Sequence, residues 1–393
     1  MLLRHSNLPL RMEAKREAAA LEAFGGRAAG SDAERRAAVH LRDRLRAMGR
    51  EADTEAIEVR PRFGLAHTLH ALVAIVGSVV AVASPLAGAA VVLAAGVLTL
   101  LDLTGTLALT RRLSGRRASQ NVFSPEDGGR PGTLLLVAHY DAGRKAPAFV
   151  LAQRALRSPW LVMLGAIGVL VVCCGLRALE IEGTVLTTVQ FVPTVLLILL
   201  VPALADLELS DVDEGSADNA AGVATVLALA DEIGGSLEAF DVWVLLTGAQ
   251  KPMAAGMRAW LRRHRSELDR ERVAVINVDG VGSGPVRFTR REGPLVARRS
   301  HSQLLRMCGE IAENDGEGGT YEAGSTVVRE RTDASAARPR KLPAITVSCQ
   351  GSEVSPEGLQ RMRAFCRDLI ERLDAEVAPT LRAAEPECEA ARG

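Results

Sequence analysis

The sequence predicts an α/β chain with a mostly parallel central sheet, helices on both of its faces, and four transmembrane helices arranged as two hairpins. Three observations lead there. The polar segments alternate short apolar runs with amphipathic helical stretches, and strands joined by helical crossovers build a parallel sheet covered on both faces. Two long stretches are nearly free of charge, and each is broken near its middle by a turn. The chain has 393 residues, enough for a sizeable core beside membrane segments.

The elements follow in order. In residues 1–62, the stretch "ERRAAVHLRDRLRAMG" is an amphipathic helix with Ala37, Leu41, Leu45 and Met48 near one face. Residues 63–110 form the first hairpin, with helices over Ala66–Ala83 and Ala87–Leu109 separated by "SPLAG" (Pro85 and Gly88). Its length suits two spans of about 20 residues each. Residues 111–157 hold "GTLLLVAHYD", a buried strand that ends in polar residues. Residues 158–204 form the second hairpin, Ser158–Leu176 and Thr184–Leu204, linked by "RALEIEG". Pro193 inside its second helix is better tolerated in a membrane than in water. Residues 205–377 alternate helix "NAAGVATVLALADEIG", strand "FDVWVLLTG", helix "AGMRAWLRRHRSEL", strands "RVAVINVDGVG" and "LPAITVSCQG", and closing helix "PEGLQRMRAFCRDLIERL". Residues 378–393 read as a disordered tail.

Composition excludes some functions. Lys plus Arg and Asp plus Glu each number 47, and 3% of residues are aromatic. With neither basic excess nor a stacking platform, nucleic acid is not an expected partner. The six cysteines lack metal-site or redox spacing and read as reduced, packed thiols. The opening "MLLRHSNLPLRMEAKREAAALEAF" is charged throughout, unlike a secretory signal. Arg60, Arg62, the run "TRRLSGRR", Arg154 and Arg157 flank one end of the hairpins, whereas Arg177 at the other end is offset by Glu180 and Glu182. The positive-inside rule then makes this an integral membrane protein with its α/β domain in the cytoplasm. Because the second hairpin separates "AHYD" from "SADN", the crevice between those segments should lie close to the bilayer.

Five segments, in order, carry a resemblance: "FGGRAAGSDAERRAAVHLRDRLRAMG", "NVFSPEDGGRPGTLLLVAHYDA", "GSADNAAGVATVLALADEI", "INVDGVG" and "LPAITV". Together they resemble the co-catalytic zinc aminopeptidases, metallopeptidase family twenty-eight, of the bacterial leucyl-aminopeptidase type. The resemblance covers most of the polar chain. It implies a zinc exopeptidase-like fold and a site at the carboxyl ends of parallel strands. In that family two zinc ions share a bridging carboxylate, and a glutamate acts as general base on the bridging water.

Carried over residue by residue, the resemblance makes His139 a metal ligand, Asp218 the bridging carboxylate and Asp279 the carboxylate completing the same ion's shell. It makes Asp141 the group that orients the imidazole, and Asn219 the usual neighbour of the bridging Asp. The second ion's set is missing. "GAQKPMAAGMRA" places Gln250 at the general-base position and Lys251 at a ligand position, and no His follows His301. Gln250 cannot take up a proton at physiological pH. Lys251 carries positive charge where a metal stood, which suits a salt bridge to the converging carboxylates.

Other candidates have plainer readings. Asp211, Asp213 and Glu214 form a solvated acidic loop, although they could rebuild a metal shell. His67 and His70 read as interfacial polar residues rather than ligands, His264 as part of an exposed basic face, and "DGVGSG" as a turn. The expectation is a membrane-anchored aminopeptidase-like protein, catalytically inactive or reduced, holding at most one zinc or other divalent ion, or none. It would act as a binding or scaffold protein for a peptide or protein partner. The alternative is an active metallopeptidase or amidohydrolase with a one-metal or rebuilt site. A transporter is disfavoured because the spans carry few ionisable residues.

Overall fold

The computed structural model describes residues 10–390 except 252, 317 and 352, with side chains from 14 to 378. Two helices open the chain, α1 (Leu10–Glu22) and α2 (Asp32–Ala47), followed by strand β1 (Asp53–Val59). Ser31 caps α2 by accepting from the Glu34 N–H at 3.1 Å, and the Glu34 carboxylate accepts from the Gly30 N–H at 2.6 Å. Helices α3 (Phe63–Ala83) and α4 (Pro85–Thr104) form the first apolar hairpin; β2 (Arg117–Ser124) and β3 (Gly132–His139) follow. After α5 (Pro147–Leu156), helices α6 (Pro159–Ala178) and α7 (Thr184–Leu209) form the second hairpin. Next come α8 (Ala221–Ile233), β4 (Phe240–Thr247), α9 (Ala255–Arg263), β5 (Val273–Val281), β6 (Val286–Glu292) and β7 (Arg298–Arg299). The chain closes with α10 (Ser302–Asp315), β8 (Gly324–Val328), α11 (Asp333–Ala337), β9 (Ala344–Cys349) and α12 (Pro356–Ala390).

The sheet order is β1-β2-β4-β3-β5-β9-β6-β7, with β8 paired to β6. Its central strands β4, β3, β5 and β9 are mutually parallel, as the sequence predicts. Its flanks are not. β1, β2 and β4 pair antiparallel, as do β9, β6 and β7. The expectation of a mostly parallel sheet therefore holds only for the centre. Residues 282–285 alone join β5 to β6, far short of the dozen or more residues that a parallel crossover needs, so β6 turns back.

β3 is buried on both faces. Leu134, Leu136 and Ala138 pack with α8, and Leu135 and Val137 pack on the opposite side with Met257 and Trp260 of α9. That alternation of faces explains why the strand reads as a continuous apolar run. α12 continues to Ala390, through most of the segment expected as a tail; residues 391–393 lie outside the described residues.

α3, α4, α6 and α7 are each long and apolar enough to cross a membrane, with mean hydropathy of 2.0 to 2.3. They pack into one bundle, α3 against α4 and α7, and α6 against α4 and α7. At Gly88 a Cβ would come within 2.4 Å of Ala81, so only glycine lets the first hairpin close there. Outward faces expose large apolar side chains such as Val79, Val172, Phe191 and Leu199. α4 stops at Thr104, short of the predicted Leu109, because Gly105 turns left-handed (φ 69°). α7 runs past the predicted Leu204 to Leu209.

Two expectations about polar groups in the bundle fail. Arg177 is not offset by Glu180 and Glu182: it donates to Gln190 Oε1 at 2.7 Å and Thr187 Oγ1 at 2.8 Å, and Gln190 donates to the Ser78 carbonyl on α3 at 2.7 Å. His67 and His70 are buried rather than interfacial. His67 is enclosed by Phe63, Trp160 and Asp102, and His70 bonds Thr110 Oγ1 at 2.6 Å. Arg111 pairs with Asp102, which gives that buried carboxylate its counter-charge.

Candidate active site

The parallel strands deliver their polar residues to one edge of the sheet. His139 closes β3, Asp279 stands near the end of β5, and Asp218 lies in the loop just before α8. His139 Nε2 is 3.0 Å from Asp218 Oδ1 and 3.3 Å from Asp279 Oδ1. The three ligand atoms lie within 4.8 Å of one another, a cluster of metal-ligating type among the described residues. His139 is fully buried, while Asp218 and Asp279 are partly open. The Asp218–Asn219 peptide is cis.

Asp141 is placed differently from expectation. The His139 ring contacts the Asp141 backbone carbonyl through Nδ1 at 3.0 Å, with the carboxylate farther off at 3.4 Å. That carboxylate instead accepts the backbone N–H groups of Gln250 and Lys251, both at 3.0 Å. Asp141 therefore fixes the loop after β4 and steadies the imidazole mainly through its main chain. Asn219 donates to the Val278 carbonyl at 2.8 Å and accepts from the Gly280 N–H at 3.1 Å, gripping β5 on both sides of Asp279.

Gln250 donates its amide to the Arg331 carbonyl at 2.8 Å, and its Oε1 has no hydrogen-bond partner among the described residues. The Lys251 ammonium sits directly on Asp218 Oδ2. Burial opposes charge on both groups, but their mutual attraction prevails: the Lys251 pKa is raised and that of Asp218 is depressed. His139 is also raised well above the usual histidine range, because its bonds to Asp141, Asp218 and Asp279 outweigh burial.

Two buried acids escaped the sequence reading. Glu34 accepts from Ser119 Oγ at 2.8 Å and the Ala249 N–H at 3.0 Å, joining the N-terminal helices to the loop that carries Gln250. Burial, then Asp141, pushes it to about 8. "GSDAE" announces a helix cap, and only the fold discloses the second contact. Asp333, at the start of α11, accepts from Thr247 Oγ1 at 2.6 Å and leaves Oδ1 without a partner among the described residues. Burial drives it to about 7. Arg27 of the "GGR" segment is buried too, donating to the carbonyls of Tyr140, Leu21 and Gly215.

The acidic loop keeps its plain reading. Asp211, Asp213 and Glu214 are exposed, and Asp213 accepts the Gly215 N–H at 3.3 Å. His264 corrects its reading: it is buried, stacked on Trp260, and bonded to Glu55 Oε1 of β1 at 2.6 Å. The five described cysteines are free and buried, as packed thiols should be; Cys388 lies beyond the described side chains.

A cavity of about 630 Å³ opens over this cluster. Asp218, Gln250 and Lys251 form part of its lining, together with Phe63 of α3, Leu103 of α4, Trp160 of α6 and Leu207 of α7.

Residues 201–364 match the model of Peptidase family M28. The chain carries a peptidase family M28 domain. Among solved structures, this M28 chain is similar to a Zn-dependent exopeptidase from Parabacteroides distasonis, with 13% identity, TM-score 0.52, and coverage of 92% of this chain and 97% of that one. It is also similar to a leucine aminopeptidase precursor from Bacteroides thetaiotaomicron (10%, 0.51, 92% and 96%). A glutaminyl cyclase from Tannerella forsythia aligns equally well (12%, 0.52, 92% and 98%). At such identities these likenesses establish the zinc exopeptidase-like fold alone. A search of curated proteins finds no match.

The donor set fits one divalent ion. One imidazole nitrogen and two carboxylate oxygens suit zinc, and ligand atoms of a tetrahedral zinc at ~2.1 Å stand roughly 3.4 Å apart, close to the 3.0 and 3.3 Å here. The opposite oxygen of Asp218, which the sequence comparison assigns to a second ion, holds an ammonium instead.

Proposed function

We propose that the protein is a membrane-anchored M28-domain binding protein without peptidase turnover, holding at most one divalent ion. The observation that carries this reading is the Lys251 ammonium on Asp218, at the position where the family resemblance puts a second metal's ligand. His139, Asp218 and Asp279 are the residues that would hold the one ion. A bound divalent ion there would polarise a carbonyl oxygen and acidify water. The chain's own groups do not complete a hydrolytic set. Gln250 presents an amide oxygen that cannot take up a proton, and its nitrogen is tied to the Arg331 carbonyl. Lys251 keeps its proton while paired to Asp218, so it serves as a fixed charge rather than a base.

The rival reading, an active one-metal hydrolase, draws on the intact His-Asp-Asp convergence. The arginines at 60, 62, 154 and 157 support a cytoplasmic α/β domain. A carboxyl-terminal reporter that is active only in the cytoplasm checks this, and a silent reporter with normal expression overturns it.

The deciding experiment measures zinc per chain by elemental mass spectrometry on the detergent-purified protein, alongside hydrolysis of leucyl amides. The expected result is at most one ion per chain, lost in His139→Ala if present, with no metal-dependent hydrolysis. The double variant Gln250→Glu/Lys251→Glu should be equally silent. Two ions, or turnover by the natural chain, would overturn the proposal.

A further inference from the structure

The cavity over the cluster has two unlike walls. One is apolar and comes largely from the ends of the four apolar helices and from α5: Phe63, Leu103, Phe149, Trp160 and Leu207. The other carries Arg62, Arg117, Arg144, Arg329 and Arg331, with Lys251 deeper in. Six cations face four carboxylates around the lining. Of those carboxylates, Asp218 is taken by Lys251 and Asp213 accepts a backbone N–H.

Several arginines have donors to spare. Arg331 donates through Nη2 to the Leu103 and Thr104 carbonyls at the end of α4, yet its buried Nε has no partner among the described residues. An orphaned guanidinium donor beside a cavity is costly unless an acceptor arrives. Arg62, Arg117 and Arg329 stand exposed around the same space. Arginines at the end of a membrane span commonly meet lipid phosphates. Here they ring a concave site whose remaining wall is aliphatic and aromatic, and whose volume of about 630 Å³ falls in the usual range for an enclosed small ligand. α5, beside it, turns Val150 and Leu151 outward, 38% and 69% exposed, continuing the apolar outer faces of the bundle.

We infer that this cavity binds a single-chain amphiphile with an anionic headgroup, drawn from the bilayer, with its chain against Phe63, Phe149, Trp160 and Leu207 and its headgroup among the arginines. The inference rests on the binding-site reading above, whose ligand class it supplies. A carboxylate and a phosphate headgroup share the chemistry that guanidinium groups recognise.

The test places the full chain in phosphatidylcholine nanodiscs and titrates a fluorescent long-chain fatty acid. Displacement by lysophosphatidic acid and by neutral monoacylglycerol follows. Saturable binding is expected, with both anionic amphiphiles at least about tenfold tighter than the neutral one. The stronger of the two anions identifies the headgroup. Arg117→Gln and Arg329→Gln, both at exposed positions, should each weaken anionic binding about fivefold and leave monoacylglycerol unchanged. Val150→Trp, which fills the apolar side, should weaken all three. Thermal midpoints equal to that of the natural chain exclude misfolding as the cause. Three outcomes would overturn the inference: no saturable binding, equal affinity for neutral and anionic chains, or displacement by an apolar peptide acid more strongly than by any amphiphile. Leucyl-amide turnover in the same nanodiscs would sink the non-peptidase reading and leave the lipid result standing.

Discussion

Replacing Lys251 by Met tests whether an ammonium holds this crevice together. The substitution keeps the length of the aliphatic stem and removes the charge that meets Asp218. The Lys251 and Asp218 side chains are 33% and 45% exposed. A fully exposed pair contributes up to about 1 kcal/mol, and breaking a buried pair costs about 3–5 kcal/mol. The intermediate exposure puts the expected loss at about 1–2 kcal/mol, or about 2–6 °C in the midpoint of a chelator-treated sample. The pH dependence carries a sign. Asp218 has its pKa depressed in the fold, so its contribution is present above the unfolded value near 4 and is lost as pH falls below it. The gap between natural chain and Lys251→Met should therefore be full at pH 7 and shrink toward pH 3. Differential scanning fluorimetry across that range reads it directly. Zinc titration of the same samples should show tighter binding in Lys251→Met, because a competing cation has gone. An unchanged midpoint, a gap that widens in acid, or weaker zinc binding would refute the reasoning.

Two further outcomes are expected. Asp333 has its pKa raised to about 7 by burial, so the fold binds its proton and the metal-free protein should lose stability as pH rises from about 4 to about 7, by at most about 4 kcal/mol. Asp333→Asn keeps an acceptor for Thr247 and should flatten that slope in denaturant melts; an unaltered slope would show that Asp333 does not titrate there. At Gly222 a Cβ would stand 1.9 Å from Asn219 Oδ1, so Gly222→Ala should dislodge the amide that grips β5, loosen Asp279 and weaken zinc binding at least tenfold by calorimetry. Zinc affinity within twofold of the natural chain would show that Asn219 does not position Asp279.

The site was legible where chemistry and chain direction coincide. His139, Asp218 and Asp279 each follow or terminate an apolar run, and parallel strands bring such ends together whatever the intervening sequence. The hairpins were legible because a span needs an unbroken apolar run. What escaped depends on partners far away in the chain. His264 sits among arginines in "RRHRSE", and only its bond to Glu55, 209 residues earlier, explains its burial. Asp102 and Arg111 flank a helix end that the apolar pattern ran straight through. α5 was missed because the short "PAFVLAQRAL" gives few turns of periodicity, although Pro147 marks its start. The antiparallel flanks of the sheet follow from link lengths rather than from any strand's composition.

The position of β3 has a consequence for how the protein is made. Both of its hydrogen-bonding neighbours, β4 and β5, are encoded after the second hairpin. During synthesis the chain must therefore set α6 and α7 in place while this apolar strand still lacks its native ladder on both edges. Segments of that kind invite mispairing until their partners arrive. Anchoring on either side by the two hairpins confines β3 to a short tether at the bundle's end, where few other strands can reach it. The helices that hold the mature protein in place would thus also chaperone its central strand, and a nascent chain stalled before β4 would be the species most exposed to aggregation.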